Sequence, residues 1–150
     1  MTATLADELS DDAIVLHAEA HDWREAVRLA GAALTATGST TDEYTNEMIR
    51  AVEELGPYIV IAPSIALAHS RPSPAVLRTG ISWVTLSSPV EFGHPNNDPV
   101  RLVVGLAAVD HDSHLATMSN LAGVLSGDIE RFLEATDPEQ LRALIRENTH

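Results

Sequence analysis

The sequence predicts an α/β fold, a mixed β-sheet flanked by helices on both faces, and three observations carry that expectation. Apolar residues recur at helical spacing in the first and last thirds of the 150-residue chain. The middle third changes to short apolar runs rich in β-branched residues. One of these, "VRLVVGLAAV" (100–109), is apolar almost without a break, as suits a strand covered on both faces.

The elements follow in order. "DWREAVRLAGAALTATG" places Trp23, Ala26, Val27, Ala30 and Leu34 on one helical face, with Gly38 as the stop. After the polar link "GSTT", Thr41 or Asp42 caps a second helix. Its stripe is Tyr44, Met48, Val52 and Leu55, and Gly56-Pro57 ends it. "YIVIA" and "IALAH" read as short strands. "TGISWVTLSSPVEFG" gives a strand over Ile81 to Leu86, a turn at Ser88-Pro89 and a short extension through Phe92. In "DSHLATMSNLAGVLSG", Asp112 is the expected cap, Leu115, Met118, Ala122 and Leu125 the apolar face, and Gly127 the stop. "IERFLEA" is a further short helix. "DPEQLRALIREN" begins the last one, with Asp137 at the N-cap and Pro138 at the first helical position.

Residues 1–150 are expected to form one domain, since a chain of this length buries about 68–70% of its unfolded surface. With 45% apolar residues but only 4% aromatics, the core must be built from Ala, Val, Leu and Ile. There is no cysteine, which excludes disulfides, thiolate nucleophiles and Cys-based zinc sites. Nine Lys plus Arg against 22 Asp plus Glu leave a net charge of −13. All nine cations are scattered arginines, so no nucleic-acid partner is expected; the acidic charge serves solubility or offers a face to a basic partner. No apolar run is long enough for membrane insertion, and "MTATLADELSDD" lacks a signal-peptide block, so the expected location is cytoplasmic.

Histidines supply the candidate chemistry. In "IVIAPSIALAHSRP" (59–72), His69 follows a strand and small residues that allow close approach, and Arg71 lies two positions on. A neutral imidazole is nucleophilic near pH 7 and can attack a phosphoryl group. The same position also fits a strand-end histidine satisfied by a backbone carbonyl. His114 falls in the first turn of a helix, where a neutral ring can donate to a phosphoryl oxygen or lie idle on the surface. "DHDSH" (110–114) brings His111 and His114 to i, i+3 spacing, but no third or fourth metal ligand follows at a recognised distance. No metal and no cofactor is therefore expected. His94 reads as part of an Asn/Asp-rich turn, and His17, His21 and His150 as surface residues. There is no Walker-type loop, no G-x-G-x-x-G and no G-x-S-x-G elbow. A phosphoryl group handled by this chain must come from another phosphoprotein.

Four blocks in order, "AHDWREAVRLAGAALTATGSTTDEYTNEMI", "GPYIVIAPSIALAHSRP", "SSPVEFGHPNNDPVRLVVGLAAVD" and "DSHLATMSNLAGVLS", resemble the EIIA component of the bacterial sugar phosphotransferase system (PTS). The class is the mannitol/fructose one, and the ascorbate-type subgroup is the most similar. The resemblance implies a phosphotransferase that accepts a phosphoryl group from HPr on a histidine. It implies delivery to a cysteine of a IIB component, which serves sugar uptake through the membrane IIC component. The family's phosphorylated histidine falls on His69 and its second active-site histidine on His114. Arg71 follows as in the ascorbate-type pattern and is expected to help hold phosphate. Two positions depart from the family: Ser64 stands where Gly is common, and Ala68 where Pro precedes the histidine. These departures raise the alternative of a phosphorylation-dead scaffold. A regulatory protein that signals through its phosphorylation state is the other alternative. Arg50 is the nearest counterpart of the mannitol-type site arginine, but it does not align without a gap and is not carried over.

Overall fold

A computed structural model describes residues 5–148, so His150 lies outside the described residues. A short helix α1 (Leu5–Glu8) and a 3-10 turn precede strand β1 (Ile14–Ala18). Helices α2 (Trp23–Ala36) and α3 (Asp42–Leu55) follow, then strands β2 (Val60–Ala62), β3 (Ile65–Ala68), β4 (Gly80–Val90) and β5 (Val100–Ala107). The chain closes with α4 (His111–Leu125), α5 (Ile129–Glu134) and α6 (Pro138–Glu147).

The five strands form one sheet in the order β1-β4-β5-β3-β2. The β1/β4 and β3/β5 pairs are parallel, whereas β4/β5 and β2/β3 are antiparallel. Alternation along β5 shows how the sheet serves two layers. Val103 and Ala107 face the layer of α2 and α3, while Leu102, Val104 and Leu106 face α1 and α4 to α6. Both predicted faces are thus helix-covered. Trp23 meets Phe92 at 6.4 Å in the first layer, and Trp83 meets Phe132 at 5.4 Å in the second. Gly105 in β5 is needed for close packing, because a Cβ there would overlap Ser82 Oγ, which donates to Ala30 O of α2 at 2.8 Å.

Several sequence expectations change. The cap of α4 is Asp110, not Asp112: its side chain accepts from Ser113 N, and the helix starts two residues earlier. The buried face of α4 is Thr117, Leu121 and Val124, while Leu115 is 53% exposed and Ala122 is exposed. Leu55, assigned to the α3 stripe, is 69% exposed. Ser88-Pro89 is not a turn; β4 runs through it to Val90, with a register irregularity between Thr85 and Val90 that accommodates the missing N–H of proline. His17 is more than a surface residue. Its backbone takes a left-handed φ of 55°, its N–H donates to Thr85 Oγ1 at 2.8 Å, and its Nε2 lies 2.9 Å from Ala135 O. It therefore ties β1 to the α5–α6 link.

The β2–β3 hairpin turns on Pro63-Ser64. Proline fixes the first φ and Ser64 takes +69°, the order a type II turn requires. Glycine is favoured there for the same reason, and Ser64 is held by bonds to Asn97 O and from Arg101 and Leu102 N–H. Among the described residues no helix is long and apolar enough to cross a membrane.

Candidate functional site

The parallel strands β3 and β5 end on the same edge of the sheet, where open α/β sheets commonly place ligands. His69 is the first residue past β3. A three-residue link leads from β5 into α4, whose fourth residue is His114. The two rings meet with centroids 5.5 Å apart and planes at 56°. Ala68 pairs with Gly105 in the ladder, so the sheet fixes the approach to His69 where the family commonly has a proline ring.

The tautomer of His69 follows from one contact. Its Nδ1 lies 2.7 Å from Leu67 O, and a carbonyl oxygen can only accept, so Nδ1 carries the proton. In the neutral ring Nε2 then keeps its lone pair. Burial holds the imidazole below its ordinary pKa, opposed by the Leu67 bond and aided by His114. His114 is likewise lowered, by burial and then by His111. Both rings are neutral at pH 7.

Arg71 lines the same cleft, of about 400 Å³, together with His69 and His114. Among the described residues Arg71 makes no ion pair, whereas Arg50 is committed to Glu43 at 3.6 Å. Although the chain holds 22 carboxylates, none of the residues lining the cleft is acidic. A nucleophilic nitrogen, a second neutral imidazole and an unpaired guanidinium thus face a cleft free of carboxylates, which suits a phosphoryl group. His111, at the start of α4, adds a third imidazole to the lining. Among the described residues no cluster of three or more His, Asp or Glu could hold a metal ion.

Sequence reasoning missed Tyr58 and the rim. Tyr58 donates to His69 O at 3.2 Å and stands edge-on to its ring at 5.5 Å. Leu55 and Leu115, both largely exposed, line the cleft with the histidines. A large apolar residue at helical spacing gives the same pattern whether it faces the core or an exposed rim, so periodicity could not place them. His94, in contrast, is a turn residue as read: its Nδ1 accepts from Asn96 and Asn97 N–H.

The fold and cleft define an α/β domain with paired imidazoles at a sheet edge, an arrangement that suits phosphoryl transfer. Residues 8–148 match the family model of the phosphoenolpyruvate-dependent sugar phosphotransferase system, EIIA 2, and the chain belongs to that family. The ascorbate-specific PTS EIIA component of Escherichia coli (strain K12) is 43% identical over 111 residues, covering 73% of this chain and 72% of that protein. Among solved structures, the mannitol-specific cryptic phosphotransferase enzyme IIA CmtB from Escherichia coli superposes with a TM-score of 0.84 at 30% identity, covering 97% of this chain and 99% of that one. The Escherichia coli mannitol IIA, solved in complex with phosphorylated IIB, gives 0.81 at 29% identity over 92% and 96% of the two chains. EIIA components are phosphotransferases that work between HPr and a IIB component through a phosphohistidine, and this protein is one of them.

Proposed function

We propose that His69 is the phosphorylated residue and that the relay serves ascorbate-type sugar uptake from the cytoplasm. The observation that carries this reading is the 2.7 Å contact from His69 Nδ1 to Leu67 O inside a carboxylate-free cleft. Nε2 of His69 attacks the phosphorus of phospho-HPr. The new N–P bond forms as the bond to the HPr imidazole breaks, and the electron pair of that bond returns to HPr. The His69 ring becomes an imidazolium, and Leu67 O stabilises its Nδ1–H. His114 and Arg71 donate to the phosphoryl oxygens, and the group then passes to the thiolate of IIB. Ascorbate is favoured because the ascorbate-specific relative of Escherichia coli is 43% identical over 111 residues, 73% of this chain.

The test is phosphorylation from phosphoenolpyruvate, Enzyme I and HPr, followed by mass spectrometry for acid-labile phosphate. Wild type should gain one phosphoryl group and His69→Ala none, while His114→Gln should be labelled roughly 10- to 100-fold more slowly. Labelling that survives in His69→Ala moves the site elsewhere. Faster delivery to a mannitol-type than to an ascorbate-type IIB would overturn the substrate assignment.

A further inference from the structure

The β3/β5 ladder ends at Ala68, and Pro72 has no N–H to give, so the segment 69–72 leaves the sheet without strand partners. What holds it there is a residue outside the cleft. Tyr44, in α3, is 1% exposed, and its hydroxyl meets two chain segments at once. Ser70 N–H donates to the hydroxyl at 2.9 Å, and the hydroxyl donates to Leu106 O at 2.8 Å, with Ser70 O at 3.2 Å as a second acceptor. One phenol proton and its lone pairs are thereby used on groups next to the two functional segments. Ser70 directly follows His69, and Leu106 lies next to the end of β5, the strand that feeds α4 and His114.

We propose that Tyr44 is a positioning residue for phosphoryl transfer. Its hydroxyl sets the spacing between the segment that carries His69 and the one that carries His114. This rests on the reading in which those two imidazoles act on one phosphoryl group. Tyr44 touches neither the phosphoryl group nor the partner. It acts through the Ser70 peptide and the Leu106 carbonyl. Burial pushes its phenol up to about 12, so it remains a donor across the working pH range. Tyr58 donates to the neighbouring His69 carbonyl, but Tyr58 is 39% exposed and cannot substitute for a buried tie.

Tyr44→Phe keeps the ring in the core and removes only the hydroxyl. With the fold intact by circular dichroism, the single-turnover rate of transfer from phospho-HPr should fall at least tenfold. The half-saturating HPr concentration should change less than twofold, because the docking rim is untouched. The imidazole nitrogen signals of His69 and His114 should both shift in the unphosphorylated protein. Ser70 amide exchange should accelerate at least tenfold. A variant that transfers within twofold of wild type, or melts earlier while its folded fraction transfers normally, overturns the proposal. So do unchanged imidazole signals. Should Tyr44→Phe fail to fold, the wild-type Ser70 amide decides: protection supports the tie, and exchange at the rate of a free loop overturns it. His69→Ala in the same assay separates the two ideas. Persistent labelling there refutes the site, whereas the imidazole signals of Tyr44→Phe still judge the positioning role.

Discussion

At His69 a single backbone contact decides which ring nitrogen carries the proton, and burial sets its pH dependence. A strand-end histidine satisfied by a carbonyl and a phosphoryl acceptor looked like competing readings of the sequence, yet the same Leu67 bond serves both. It fixes the proton on Nδ1 and so leaves Nε2 nucleophilic. Both cleft imidazoles titrate below their ordinary value in the folded protein, chiefly through burial. The unfolded chain therefore takes up protons near pH 6.5 that the folded chain refuses. Their contribution to stability is complete above that pH and is lost as pH falls through it toward the folded values. We predict a lower urea midpoint at pH 5.5 than at pH 7.5, measured by circular dichroism. Equal midpoints would contradict the assignment of two neutral, partly buried rings.

At the scale of elements, α4 shows what patterning can and cannot reveal. The sequence located the helix but misjudged its cap and face, because Asp110 and Asp112 are equally good caps on composition and Leu115 resembles core. The geometry separates them: only Asp110 accepts from Ser113 N, at 2.8 Å. Asp110→Ala should cost about 1 kcal/mol in urea denaturation and loosen the turn that carries His114. A variant as stable as wild type would show the cap to be dispensable. Helices α2 and α3, with strong stripes, and α6, with its Asp137 cap, were legible, as were the central strands. Strand β1 was not, because a five-residue edge strand interrupted by a left-handed histidine has neither clean alternation nor a turn signal. Helix α1 is four residues long, too short to show a period. His69, His114 and Arg71 were legible as candidates. Their meeting was not, since residues 45 positions apart in sequence (114 − 69) converge only through the sheet.

The whole molecule carries −13 charges and yet leaves the residues lining the cleft free of carboxylates. That distribution separates two electrostatic jobs. On the proposed reading, the remote surface field would attract a basic face of a partner, and the cleft would receive the phosphoryl group. Steering of this kind reaches about 10 Å at 0.1 M salt and about 3 Å at 1 M. Raising salt across that range should lower kcat/KM for transfer from HPr several-fold and leave kcat nearly constant. A salt-independent kcat/KM would mean that the acidic surface takes no part in encounter.

The placement of the two tryptophans on opposite faces of the sheet has a practical consequence. Trp23 belongs to one helical layer and Trp83, fully buried, to the other. Each indole is thus a native fluorophore for its own layer, and β3, whose residues alternate between the layers, leads directly into His69. Replacing one indole at a time turns a melting curve into two separate records. Whether those records coincide tells whether the platform under the histidine comes apart as one cooperative unit or one layer at a time.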